Sequence, residues 1–143
     1  MFFSIGILLT GFAGGFYMGQ TMTSQILNGG AVTVSAKLIE LEASDAERAY
    51  KSGNILKQIY GLEHFGKILE HNVGSSPIVA DEVIYIDLAI TYTRLGLLSQ
   101  KMNNQENANI YFNKAVVFYK KTGKEIAVDK LVSLVKRMDE NLQ

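Results

Sequence analysis

The sequence predicts an all-α protein in which an N-terminal transmembrane helix precedes a TPR-like bundle of about five antiparallel helices. Three observations favour this fold class. The first 36 residues contain no charged side chain. Apolar residues recur in steps of three and four along most of the remaining chain, as amphipathic helices require. Only one proline is present, so little interrupts the helices. The predicted organisation is an anchor at 1–27, a hinge at 28–35 and a helical domain at 36–143.

The anchor is predicted from the stretch FFSIGILLTGFAGGFYMG, which begins at residue 2. About 20 apolar residues span a bilayer core of ~30 Å, and this stretch nearly reaches that length. Gly11, Gly15 and Gly19 recur every four residues, so they share one face of a helix. Small residues at this spacing let helices pack closely in lipid. The glycine face therefore predicts contact with an integral-membrane partner or with a second copy, although glycine is also common in membrane helices generally.

Two other interpretations of the N-terminus have less support. A cleaved signal peptide lacks support, because no basic residue precedes the apolar run and the Val34–Ala36 motif lies well beyond it. A buried soluble helix is disfavoured, since each glycine costs roughly 1 kcal/mol relative to alanine. Lys37 and other basic residues follow the span, which favours a cytoplasmic helical domain. Phe16–Gly19 resembles the anchor of bacterial lipopolysaccharide-assembly regulators, which implies the bacterial inner membrane.

A first helical hairpin is predicted between the hinge and residues 72–74. The breaker Asn28-Gly29-Gly30 defines the hinge. Ser44 with Glu47 matches a capping box, which predicts a new helix start near Ser44. Gly53-Asn54 is typical of a turn between helices.

The second hairpin has clearer start and stop signals. Ser76-Pro77 predicts the start of its first helix, because proline is tolerated at the first helical position. Asn103 with Glu106 has the spacing of a start signal for the second helix. Gly123 predicts the end of that helix, since glycine readily adopts the left-handed conformation that closes helices.

Residues of this second hairpin resemble the tetratricopeptide repeat. That family places an aromatic residue, a Leu-Gly or Leu-Ala pair and a tyrosine on one helix, and Ala-x-x-x-Phe on the next. The matching residues are Tyr85, Leu88, Ala89, Tyr92, Ala108, Phe112 and Ala115. Gly61, Phe65 and Ile68 repeat the second part of the pattern. The resemblance implies stacked hairpins that bind a protein partner. The chain departs from the family by about one extra turn per helix and by lacking the closing proline; an unrelated helical hairpin is the alternative.

The C-terminal segment 124–142 predicts an amphipathic helix that caps the last hairpin. Its apolar residues share one face: Ile126, Val128, Leu131, Val132, Val135, Met138 and Leu142. A repeat array needs such a helix, because the last hairpin would otherwise expose its apolar side.

The partner-binding surface is expected on the first helix of the second hairpin. Asp87, Thr91 and Arg94 are spaced by four and three residues, so they share one polar side of that helix. Arg94 could pair with Asp87 or with a partner carboxylate. The alternative is that the three residues form an ordinary solvated face.

Composition excludes several functions. The net charge is zero, which gives no electrostatic basis for binding nucleic acid. There is no cysteine, and the two histidines, His64 and His71, are seven residues apart, whereas zinc motifs on one helix use four. We therefore expect no cofactor, no metal and no enzymatic activity. The favoured function is a membrane-anchored scaffold or accessory subunit; a membrane-tethered adaptor that recruits a soluble enzyme is the alternative.

Overall fold

The computed structural model describes residues 30–75 and 79–141, and the side chains from Lys37 onwards. Within these ranges the chain forms five α-helices and no β-strand: α1 (Gly30–Lys51), α2 (Ile55–Asn72), α3 (Asp81–Lys101), α4 (Gln105–Lys120) and α5 (Val128–Glu140). The all-α prediction is confirmed, and the helical hairpins are compatible with a tetratricopeptide-like arrangement. None of the five helices is both long and apolar enough to cross a bilayer. The predicted anchor, with Gly11, Gly15 and Gly19, lies outside the described residues.

Helix α1 is one continuous helix of 22 residues. It includes residues 30–35, which the sequence analysis assigned to the hinge. The predicted new helix start near Ser44 is wrong. A capping box is only a local signal, and Ser44 lies inside a helix whose apolar face runs on through Ala46, which is almost fully buried. The continuous burial of that face outweighs the local preference of the serine.

The turns between helices follow the glycines and asparagines closely. Gly53, Gly74 and Gly123 all adopt positive φ angles, between 71° and 79°, directly after α1, α2 and α4, which confirms the predicted stops. The side chain of Asn54 accepts hydrogen bonds from the first free amides of α2. At α4 the capping residue is Asn104 rather than the predicted Asn103.

Helix α3 starts later than predicted, at Asp81 instead of beside Ser76-Pro77. Ala80 precedes it and has no capping side chain. The carboxylate of Asp81 instead accepts a hydrogen bond from the backbone amide of Gly74, at 2.8 Å, which ties the start of α3 to the end of α2.

Helix α3 is the central element, because side chains on all its sides are buried. It contacts α2, α4 and α5, whereas α1 packs mainly on α2. A helix buried all round shows little amphipathic pattern, which explains why its apolar and small polar residues alternate so irregularly along the sequence. The shared core contains residues from all five helices, with Leu88 and Leu95 of α3 near its centre.

Small residues set the closest approaches between paired helices. A methyl group added at Gly96 would lie 2.5 Å from the ring of Phe112, and one added at Gly61 would lie 2.6 Å from the side chain of Ala49. Ala49 and Gly61 are twelve positions apart in the chain, as are Gly96 and Ala108, and Ala108 is fully buried. Each hairpin thus contains one glycine in close contact with its partner helix, Gly61 with Ala49 and Gly96 with Phe112.

A second stretch of α3 also has a tetratricopeptide-like spacing. Tyr92, Leu95 and Gly96 reproduce the aromatic–x–x–Leu–Gly spacing, and Gly96 packs on Phe112. The predicted small residue, Ala89, lies seven residues before Gly96 on the same side of α3. Ala89 is nevertheless buried, as predicted.

Helix α5 packs its apolar face against the second hairpin, as the predicted cap should. Leu131, Val135 and Met138 are buried, and α5 contacts both α3 and α4. Val135 and Met138 form a small separate cluster with Ile86 and Ile90 of α3.

Candidate functional site

The three residues predicted to form an exposed strip lie instead against the interior. The side chains of Thr91 and Arg94 are fully buried, and Asp87 is largely shielded from solvent. The spacing of Asp87, Thr91 and Arg94 correctly predicts that they share one side of α3. It does not follow from their polarity that this side is exposed to solvent. The expectation of a solvent-exposed partner-binding strip is therefore wrong for Thr91 and Arg94.

Arg94 is the centre of a polar junction between three helices. Its Nε donates a hydrogen bond to Oδ1 of Asp139 at 2.9 Å, and its Nη2 donates to the same oxygen. The hydroxyl of Tyr50 donates to the other carboxylate oxygen of Asp139 at 2.7 Å. The guanidinium also lies 4.9 Å from the centre of the Tyr50 ring. We call Tyr50, Arg94 and Asp139 the three-helix junction, because they join α1, α3 and α5.

The junction pairs a buried cation with a carboxylate that is partly exposed. The side chain of Arg94 is inaccessible, and that of Asp139 retains 19 % of its exposure. Burial, together with the hydrogen bond to Asp139, raises the pKa of Tyr50 well above its usual range, so the phenol stays a donor at any physiological pH. The partner of Arg94 is thus Asp139 on α5, whereas the sequence suggested Asp87, which lies on the same helix as Arg94.

Asp87 stands apart from the junction. Burial raises its pKa to about 7, and the attraction of Arg94 only partly opposes that shift. No hydrogen bond to its carboxyl group is found among the described residues. A carboxyl group in this state is uncharged over much of the pH range in which other aspartates are ionised.

Thr91 faces the first hairpin. A methyl group added at Gly66 of α2 would lie 3.7 Å from the methyl carbon of Thr91 and 3.4 Å from the hydroxyl of Tyr92. The Thr91 hydroxyl is buried and has no hydrogen-bond partner among the described residues. Thr91 therefore contributes mainly close packing between α2 and α3.

A second polar cluster joins α2, α3 and α4. The hydroxyl of Tyr92 donates to Glu70 at 2.7 Å, and Lys114 donates to both groups at 3.2 Å while lying 4.5 Å above the Tyr92 ring. The hydroxyl of Tyr111 donates to Glu63 at 2.6 Å. Burial and this glutamate raise the pKa of Tyr111 to about 12. Both glutamates of α2 are thus hydrogen-bonded across helices.

Sequence reasoning missed both polar clusters. No motif marks Tyr50, Asp139 or Glu70, since their partners are 22 to 89 residues away in the chain. One available signal was the seven-residue spacing of Glu63 and Glu70, which places both on one side of α2.

The histidines do not form a site with each other. His64 pairs with Glu42 of α1 at 3.2 Å and is half exposed, and His71 is exposed near the end of α2. In residues 30–75 and 79–141, no group of three or more His, Cys, Asp or Glu side chains could hold a metal ion. The charged and tyrosine side chains of the two polar clusters instead pair with one another across helices.

Comparison of the chain with protein-family models, with curated proteins and with solved structures gave no match.

Proposed function

We propose that the protein is a membrane-anchored helical-repeat scaffold, or accessory subunit, that binds and stabilises a membrane protein complex. The observation on which this proposal mainly depends is the use of the buried polar groups. Arg94, Asp139 and Tyr50 bond to one another across three helices, as do Tyr92 and Glu70 across two. These contacts fix the relative positions of helices, which is what a protein-binding scaffold needs.

The tetratricopeptide-like architecture supports the same function. Both hairpins pack closely at a glycine, at Ala49–Gly61 in the first and at Gly96–Phe112 in the second, and helix α5 covers the far side of the second hairpin. Stacked hairpins with a covered end form extended surfaces that suit protein partners.

The anchor is the second part of the proposal. The first 36 residues are uncharged, and an apolar stretch with glycines at every fourth position suits a helix that packs on another helix in lipid. We propose that Gly11, Gly15 and Gly19 contact an integral-membrane partner. Arg94 and Thr91 are not part of the proposed contact surface, because both are buried.

Co-purification from membranes tests this proposal. The tagged full chain is extracted with mild detergent and its bound proteins are quantified. We expect an integral-membrane protein in fixed ratio, and we expect Gly15→Ile to stay in the membrane fraction but to recover much less of it. Ala13→Ile is the matched control, because residue 13 would lie on the opposite side of a helical span.

The results separate the proposal from its alternative. Recovery of soluble enzymes in variable ratio would instead support the tethered adaptor. A chain found only in the soluble fraction would contradict both.

A further inference from the structure

Helix α5 is held on the rest of the protein by few side chains. Its buried residues are Leu131, Val135 and Met138. Its one ion pair in the described part of the chain is that of Asp139 with Arg94. Ala127 precedes the helix, and no side chain caps the first free amides there. Removing α5 from the protein would therefore break few contacts.

The surface beneath α5 is largely separate from the shared core. Val135 and Met138 pack against Ile86 and Ile90 of α3, in a cluster that contains residues of α3 and α5 alone. Of the α5 residues, only Leu131 belongs to the core that the five helices share. This side of α3 can therefore be uncovered while the other four helices stay packed.

The covered side of α3 combines apolar residues with an arginine. Ile86, Ile90 and Arg94 are spaced by four residues, so they form a row along one side of the helix. Helix α5 matches this row with apolar residues at 135 and 138 and a carboxylate at 139. Laying an amphipathic helix on an apolar row is a recurrent mode of peptide recognition, and an arginine adds a preference for a carboxylate. Helix α5 thus occupies α3 in the way that a peptide ligand would.

The connection between α4 and α5 acts as a short tether. It comprises residues 121–127 and turns at Gly123, which has a φ angle of 79°. Two exposed ion pairs hold this connection, and exposed ion pairs contribute little. A tether of this length keeps a detached helix at an effective concentration on the order of millimolar. A competing helix must therefore bind α3 well to replace α5.

We propose that α5 is an autoinhibitory helix, which an amphipathic helix of a partner protein displaces from α3. The partner helix carries two apolar residues spaced by three and an acidic residue directly after the second, as Val135, Met138 and Asp139 do. The acidic residue is needed because Arg94 loses the carboxylate of Asp139 when α5 leaves. This inference deepens the proposed function and rests on one part of it, namely that the helical domain binds a protein partner.

A peptide of the chain's own residues 124–143 serves as the probe, because it contains the α5 pattern. The peptide is labelled with a fluorophore, and its binding to the purified full chain in mild detergent is followed by anisotropy. The wild-type chain should bind it weakly, because the tethered α5 competes at an effective concentration on the order of millimolar. Asp139→Ala in the chain removes the carboxylate that holds α5, so this variant should bind the peptide about ten-fold more tightly or better.

Two variants of the peptide test the need for a carboxylate. Against the Asp139→Ala chain, a peptide with Asp139→Ala should bind about ten-fold more weakly than the wild-type peptide, because it cannot pair with Arg94. A peptide with Glu140→Ala is the matched control and should bind like the wild type. Glu140 is exposed and forms no ion pair within residues 30–75 and 79–141.

Val135→Ala in the chain keeps the proposal testable if Asp139→Ala does not fold. It weakens the apolar contact with α3 and leaves the three-helix junction intact, so the chain should again bind the peptide more tightly than the wild type does. Hydrogen exchange adds a measurement without the peptide. The amides of α5 should exchange faster than those of α3, and Val135→Ala should enlarge the difference.

The autoinhibition proposal would be overturned if neither variant chain bound the peptide more tightly than the wild type. Equal binding of the wild-type and Asp139→Ala peptides would overturn it too, as would α5 amides that exchange as slowly as those of α3. Dimers that exchange α5 between copies, detected by mass photometry, would assign the covered side of α3 to a second copy instead of a partner. The peptide measurement needs no membrane complex, so its failure is distinguishable from a failure of co-purification.

Discussion

Replacing Arg94 by alanine should destabilise the helical domain severely. Removing one partner of a buried ion pair typically costs about 3–5 kcal/mol, because the other charge is left without compensation. Asp139 is partly exposed and can recover some hydration, which favours the lower half of that range. The lost packing of the fully buried Arg94 side chain increases the destabilisation. We therefore expect a loss of about 3–4 kcal/mol in the free energy of unfolding.

This expectation reverses the one that the sequence supports. If Arg94 were on a solvated surface, substitution would cost only about 0–1 kcal/mol. Urea unfolding followed by circular dichroism at 222 nm distinguishes the two values. Tyr50→Phe should lose about 1.5–3 kcal/mol, the range for one hydrogen bond to a charged group. In a double-mutant cycle, Arg94→Ala and Asp139→Ala should be strongly non-additive. The three-helix junction would be refuted if Arg94→Ala lowered the free energy of unfolding by less than about 1 kcal/mol. It would also be refuted if the effects of Arg94→Ala and Asp139→Ala were additive.

Three other changes have definite expected outcomes. Gly96→Ala should destabilise the protein by about 1–3 kcal/mol, because its methyl group would overlap the ring of Phe112, and a melting curve equal to that of the wild type would contradict this packing. Since the pKa of Asp87 is raised from 3.8 to about 7 in the folded state, its contribution to stability should fall as pH rises from about 4 to 7 and then level off. Asp87→Asn should therefore gain on the order of 4 kcal/mol relative to the wild type between pH 4 and 8, and a difference independent of pH would argue against a raised pKa. Asn104→Ala should cost about 1 kcal/mol in urea unfolding through loss of the cap on α4, whereas Asn103→Gly should cost nothing, since Asn103 already has a positive φ angle.

Local signals predicted the helices and turns well. Glycines at 53, 74 and 123 end helices for a reason that is entirely local, namely the left-handed backbone conformation that they adopt. The amphipathic pattern of 124–142 likewise anticipates α5, because a surface helix buries one side only.

Elements that depend on burial were predicted less well. Ser44 resembles a helix start, yet it lies within α1, because packing of the apolar side stabilises the continuous helix. A tetratricopeptide-like spacing occurs twice on α3, at Leu88–Ala89 and at Leu95–Gly96, and the two small residues occupy the same side of the helix. The close approach of Gly96 to Phe112 becomes apparent only when α3 and α4 are packed together.

The candidate site shows where sequence reasoning stops. Asp87, Thr91 and Arg94 do share one side of α3, as their spacing predicts. Their environment could not be deduced, because Asp139 is 45 residues from Arg94 in the chain and no pattern pairs the two. An arginine in a helix pattern is usually exposed, so its burial becomes apparent only when α5 is packed against α3.

The central proposal is that this chain is a membrane-anchored subunit of a larger membrane complex. Native mass spectrometry of the tagged full chain, released from its own membranes in mild detergent, tests this most directly. The proposal predicts a complex in which the chain and an integral-membrane protein occur in one fixed ratio, and in which Gly15→Ile lowers the yield of that complex but Ala13→Ile does not. Release of the wild-type chain only as monomers or dimers of itself, with no integral-membrane partner, would contradict it.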